Sequence, residues 1–144
     1  MVKHFDHVTI AVRDVAAARA FFGLLGFREE KSVVISGPVF ARYMGVEGIE
    51  AEHVTLAHES AVPRMEVQIL KYRHPDPRID PDLARLDKLG FNHVCFAVDD
   101  VDATVRTLVA HGVALRNEVM EFHDRKLVFL VGPEGITVEL AQWI

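Results

Sequence analysis

"FDHVTIAVRDVAAARAFFGLLGF", residues 5–27, returns late in the chain as "FNHVCFAVDDVDATVRTLVAHGV", residues 91–113. In both copies Phe, His, Val, Ala and Val hold the same places, and the opening strand ends at a V-x-D-V step: Val12 to Val15 and Val98 to Val101. About ten helix-forming residues follow, closed by Gly26 or Gly112. Asp14, or Asp99 and Asp100, can cap the helix N-terminus, and each glycine suits the left-handed position beyond its end. Each copy therefore predicts a strand followed by a helix.

Strand-like stretches follow each helix, at 28–36, 51–57 and 65–72 and again at 114–120, 126–132 and 136–142, so each half reads as βαβββ. The last strands align as well, "EVQILKY" (66–72) beneath "TVELAQW" (137–143), placing Gln68 opposite Glu139. Two copies are too few, and the period too long, for a solenoid. We expect an α+β domain spanning 1–144, built of two modules, 3–72 and 91–144, whose mixed sheets curl into a cupped half-barrel with the helices outside. Residues 37–45, "GPVFARYMG", form an inserted helical turn. Residues 73–90 are a proline-rich linker containing a short helix.

At 144 residues, half of them hydrophobic, the chain can bury a substantial core. Its net charge of −5, with no Lys/Arg cluster, offers no basic surface for nucleic acid or an anionic membrane. Cys95 is the single cysteine, which excludes an internal disulfide. No run approaches the ~18 apolar residues of a membrane span, and "MVKHFDHVTI" does not read as a signal peptide. A cytoplasmic protein is expected.

Strand alternation sorts the side chains. Val8, Ile10 and Val12 share one face of the first strand, and His7, Thr9 and Ala11 the other. In the second copy Val94, Phe96 and Val98 lie opposite His93, Cys95 and Ala97. Ile136, Val138 and Leu140 likewise oppose Thr137, Glu139 and Ala141, while Val67 and Ile69 oppose Glu66, Gln68 and Leu70. With the apolar faces beneath the helices, His7, Gln68, His93 and Glu139 converge on the concave side. Two imidazoles, a carboxylate and an amide oxygen are a ligand set for a divalent transition metal. Glu66, two residues from Gln68 on the same face, is the rival ligand; the repeat alignment favours Gln68. His4, His58, His74, His111 and His123 have no repeat partner and read as surface residues.

These segments, together with "GPEGITVEL" (132–140), resemble the vicinal oxygen chelate superfamily over nearly the whole chain. That superfamily includes glyoxalase I, methylmalonyl-CoA epimerase, fosfomycin- and bleomycin-resistance proteins and extradiol dioxygenases. The resemblance implies paired βαβββ modules around one divalent metal (Zn, Ni, Co, Mn or Fe), with ligands at the same four positions. It implies a small-molecule substrate that presents two adjacent oxygens, and a homodimer. Such a metal acts as a Lewis acid beside a carbonyl while a nearby carboxylate moves the proton.

The His, Gln, His, Glu set most resembles the epimerase branch, giving a glyoxalase- or epimerase-like isomerase or lyase as the leading expectation. Candidate bases are Glu139, Glu52 and His53. The last two are adjacent on one strand, so one of them faces the cavity, and the flanking Val54 and Leu56 do not say which. Bacterial glyoxalases usually carry Arg four residues after the first histidine, where this chain has Ala11. An antibiotic-sequestering protein of the bleomycin-resistance kind is the alternative, although such members usually lack the ligands retained here. An Fe(II) extradiol dioxygenase would use His7, His93 and Glu139, but its usual tyrosine is replaced by Phe129. Fosfomycin-type chemistry has only Arg125 and Lys126 to offer.

Overall fold

The computed structural model describes all residues, 1–144, and is an α+β fold. Its order is β1 (His7–Ala11), α1 (Val15–Leu24), β2 (Phe27–Ser36), α2 (Pro38–Met44), β3 (Glu50–His58), β4 (Glu66–His74), β5 (Val94–Ala97), α3 (Val101–Ala110), β6 (Met120–Phe122), β7 (Arg125–Val131) and β8 (Thr137–Trp143). Two compact units result, Met1–Ile79 and Asp80–Ile144. Each holds one four-stranded mixed sheet, ordered β1-β4-β3-β2 in the first and β5-β8-β7-β6 in the second. In both, the opening strand runs parallel to the closing strand and the rest of the sheet is antiparallel.

The helix signals act as read. Asp14 Oδ1 accepts from the Ala17 N–H at 3.0 Å, and Asp100 Oδ1 from that of Ala103 at 2.9 Å. Beyond the helices, Gly26 and Gly112 adopt φ of 93° and 85°, which L side chains rarely take. Helix α1 buries Ala18, Phe21 and Phe22, and the Phe22 ring meets Phe27 edge-on at 6.0 Å. Beneath it Val54, Leu56, Val67 and Ile69 are fully buried. In the second unit α3 buries Val101 and Leu108, and the sheet buries Val128, Leu130, Val138 and Leu140. Each such aliphatic side chain contributes about 1.5–3 kcal/mol of transfer free energy.

Two expectations about elements are corrected. No helix forms within 73–90, where turns replace it: the Leu83 N–H donates to Asp80 O and that of Arg85 to Asp82 O. Pro75, Pro77 and Pro81 disfavour helical backbone in the residues before them, and the Asp80 side chain takes the Asp82 N–H at 2.9 Å. Nor is 114–120 a continuous strand. Leu115 makes an isolated bridge to Leu130, and regular pairing resumes only at Met120. Asn117 explains the break, because its side-chain oxygen accepts the Phe129 N–H at 2.9 Å that a strand carbonyl would otherwise take.

Helix α2 confirms the inserted helical turn and adds something the sequence did not reveal. Its Ala41 and Met44 pack on a buried cluster of Ile35, Ile49, Ala51 and Leu70. Leu70 lies on the Gln68 side of β4, so α2 covers one end of the histidine-bearing face. Leu70 and Ala51 are buried for that reason, although they lie opposite the α1 core.

Candidate metal centre

Sheet register places the expected ligands equivalently in the two units. Thr9 pairs with Gln68 across β1 and β4, and Cys95 pairs with Glu139 across β5 and β8. Each histidine stands two residues before the paired Thr or Cys, so each unit presents one imidazole and one last-strand oxygen donor on the same face. Glu66 pairs with His7 itself. By the same register its second-unit equivalent is Thr137, which is buried and has no side-chain partner.

In the second unit His93 Nε2 lies 2.9 Å from Glu139 Oε2. Two donors bound to one metal at about 2.1 Å stand about 3 Å apart, so this pair already has the spacing of neighbouring ligands. His93 Nδ1 bonds Asn92 Oδ1 at 2.7 Å, and the ring meets Phe129 edge-on at 5.1 Å. Partial desolvation pushes the exposed Cys95 thiol up to about 12, and the neighbouring Glu139 carboxylate adds to the shift.

In the first unit His7 Nδ1 donates to Asp6 Oδ1 at 2.5 Å, and this contact holds the Asp6 carboxyl below the usual carboxylate range. Both candidate histidines therefore have Nδ1 occupied by the preceding side chain, which directs Nε2 outward and fixes the ring, as the outer partners of metal-bound histidines do. Asp6 and Asn92 were missed in the sequence. Their signal was the Asx shared by "FDH" and "FNH". Gln68 Oε1 lies 3.1 Å from His53 Nε2 and 3.5 Å from Thr9 Oγ1, and Gln68 Nε2 donates to Glu66 Oε1 at 3.2 Å.

The three candidate bases separate. His53 reaches Gln68 and so shares the face of the candidate ligands. Glu52, its neighbour on β3, pairs with Val34 and Lys71 and points to the opposite face. Glu139 lies among the candidate ligands. No group of three or more His, Cys, Asp or Glu side chains stands together as a metal-holding cluster. The donors are one imidazole with an amide in the first unit and one imidazole with a carboxylate in the second. Nitrogen and oxygen donors of this kind suit a divalent first-row metal.

Comparison with known proteins gives the class. Residues 6–129 match the model of the glyoxalase/bleomycin resistance protein/dioxygenase superfamily. The chain belongs to that superfamily, the vicinal oxygen chelate proteins. A stretch of 51 residues is 35% identical to glyoxalase I of Saccharomyces cerevisiae and covers 35% of this chain but 16% of the yeast protein. Over 141 residues it is 24% identical to the uncharacterized protein YaeR of Escherichia coli, across 96% of this chain and 95% of YaeR. A glyoxalase family protein from Bacillus cereus has the same fold, with a TM-score of 0.89 and 26% identity over 100% of this chain and 96% of that one. No helix is long and apolar enough to cross a membrane.

Proposed function

We propose that the chain is a divalent-metal-dependent enzyme of the glyoxalase and epimerase kind, moving a proton at the carbon beside a substrate carbonyl. His7, Gln68, His93 and Glu139 would hold the metal. The observation that carries this reading is the pairing of His93 Nε2 with Glu139 Oε2 at 2.9 Å, with Gln68 repeated at the equivalent register position behind His7. Similarity to glyoxalase I supports the reaction class.

When bound, a divalent metal supplies Lewis acidity toward two adjacent substrate oxygens. The protein's own groups do the rest. Asp6 and Asn92 fix the imidazoles, so that little reorganisation accompanies binding. Phe129 packs against His93 and excludes water on that side. Glu139 is the carboxylate that would accept and return a proton, through the oxygen not engaged as a ligand. His53 lies beyond Gln68 on the same face, and Glu52 is turned away from it.

Ala11 leaves no cation on β1 for a peptide carboxylate. A homodimer is the working form in this reading. The test is solvent exchange: metal-loaded protein in D2O, offered hemithioacetals, 2-hydroxy ketones and 2-branched acyl thioesters. Deuterium should appear at the carbon beside the carbonyl of at least one class, and Glu139→Gln should slow its entry by ~100-fold or more. Tight binding of such compounds with no exchange would instead indicate a sequestering protein.

A further inference from the structure

Gln68 is ringed by side chains that decide which end of its amide faces forward. An amide's oxygen and NH2 ends have nearly the same shape, so only its partners can orient it. At one end stands Glu66, whose carboxylate accepts hydrogen bonds and has none to give. That end of Gln68 must be Nε2, at 3.2 Å from Glu66 Oε1. Glu66 is itself held, because Arg64 Nε donates to its Oε2 at 2.8 Å while the two Nη atoms of Arg64 donate to Glu30. At the other end Oε1 faces His53 Nε2 at 3.1 Å, which requires the His53 tautomer protonated on Nε2.

We infer that His53 and Glu66 form a two-point clamp that fixes Gln68 with its carbonyl oxygen forward, making Glu66 a positioning residue and not a ligand. The inference rests on the metal reading, since a fixed carbonyl oxygen matters to function only as a donor. One lone pair of Oε1 serves His53, and on the other side Oε1 takes only a long 3.5 Å contact from the Thr9 hydroxyl, the contact a cation would displace. The clamp also gives a physical reason for an amide at this place, where a carboxylate would bind a cation more strongly. A second carboxylate would face Glu66 at hydrogen-bond distance, with like charges opposed. With Glu139 as the only anionic ligand, a divalent ion keeps a net positive charge and stays a stronger Lewis acid.

The test begins with metal-free, 15N-labelled protein. The Gln68 side-chain amide, assigned by its loss in Gln68→Ala, should exchange slowly, and His53 should appear as the Nε2–H tautomer. Glu66→Ala should speed that amide exchange by about 10-fold or more, and His53→Ala should release the oxygen end. Zinc affinity, read by competition with a chromophoric chelator, should fall about 10-fold in either variant. It should fall further in Gln68→Ala and largely recover in Glu66→Gln, whose carbonyl oxygen can still accept from Gln68. The clamp is overturned if the Gln68 amide exchanges freely in the wild type, or if Glu66→Ala costs more zinc affinity than Gln68→Ala. Failure of the wild type to bind any metal would strike the proposed function alone, because the amide and tautomer signals judge the clamp without metal.

Discussion

Single residues carry the repeat's meaning in unequal degree. His7 and His93 could be recognised because a polar residue recurs at one position of a strand copied twice, and alternation then fixed their face. His53 and Glu52 were left unseparated in the sequence, although the same alternation sorts them once Val54 and Leu56 are seen buried beneath α1: Glu52 shares their face and His53 lies opposite. The contact with Gln68 agrees. Gly26 was legible as a helix stop, but its second constraint is tertiary: a Cβ there would lie 2.8 Å from His58 Nε2, at φ of +93°. Gly26→Ala should therefore destabilise the fold by about 1–3 kcal/mol in urea denaturation. Gly26→Ala/His58→Ala should recover only part of that loss, because removing the ring leaves the backbone strain. Full recovery, or no loss in the single variant, would contradict this account.

Among the elements, those specified by period and caps formed as read, whereas those depending on polar side-chain competition did not. Both long helices start at capping aspartates, and Asp100→Ala should cost about 1 kcal/mol, measured by thermal unfolding. The 73–90 segment failed as a helix because its bonds are local and polar: Lys88 Nζ donates to Asp80 Oδ2 at 2.8 Å, and Arg85 grips Asp87 at 2.6 Å. Lys88, helped by the Asp82 N–H, holds the Asp80 carboxyl below its ordinary 3.8. A carboxyl whose folded pKa is depressed stabilises the fold above its unfolded value, and this is lost as pH falls through the folded one. An NMR titration of the Asp80 carboxyl carbon should show a midpoint below 3.8 in the wild type, moving upward in Lys88→Met. An unmoved midpoint would show that Lys88 does not hold it. In 114–120 the misreading had a similar origin, since the apolar alternation predicts a strand while one asparagine side chain takes a ladder bond.

For the whole molecule, the duplicated module accounts for both the two four-stranded sheets and the equivalent placement of the candidate ligands. The superfamily was legible in the sequence because the repeat, the strand parity and the closing "GPEGITVEL" segment agree. The packing of α2 was not, since that insertion has no repeat partner and its docking on the face that bears Gln68 is a tertiary event. Edge strands β2 and β6 expose Val34, Met120 and Phe122, apolar surface on unpaired edges that a second copy could cover. Sedimentation at micromolar concentration should accordingly give twice the 16.2 kDa chain mass, and a monomer would refute the homodimer. The central claim is the metal, and elemental mass spectrometry of purified protein tests it most directly, with His7→Ala/His93→Ala as the control. The account requires about one divalent transition metal per wild-type chain and none in a folded control. A wild type that stays empty after Zn, Ni, Co, Mn and Fe are each supplied would contradict it.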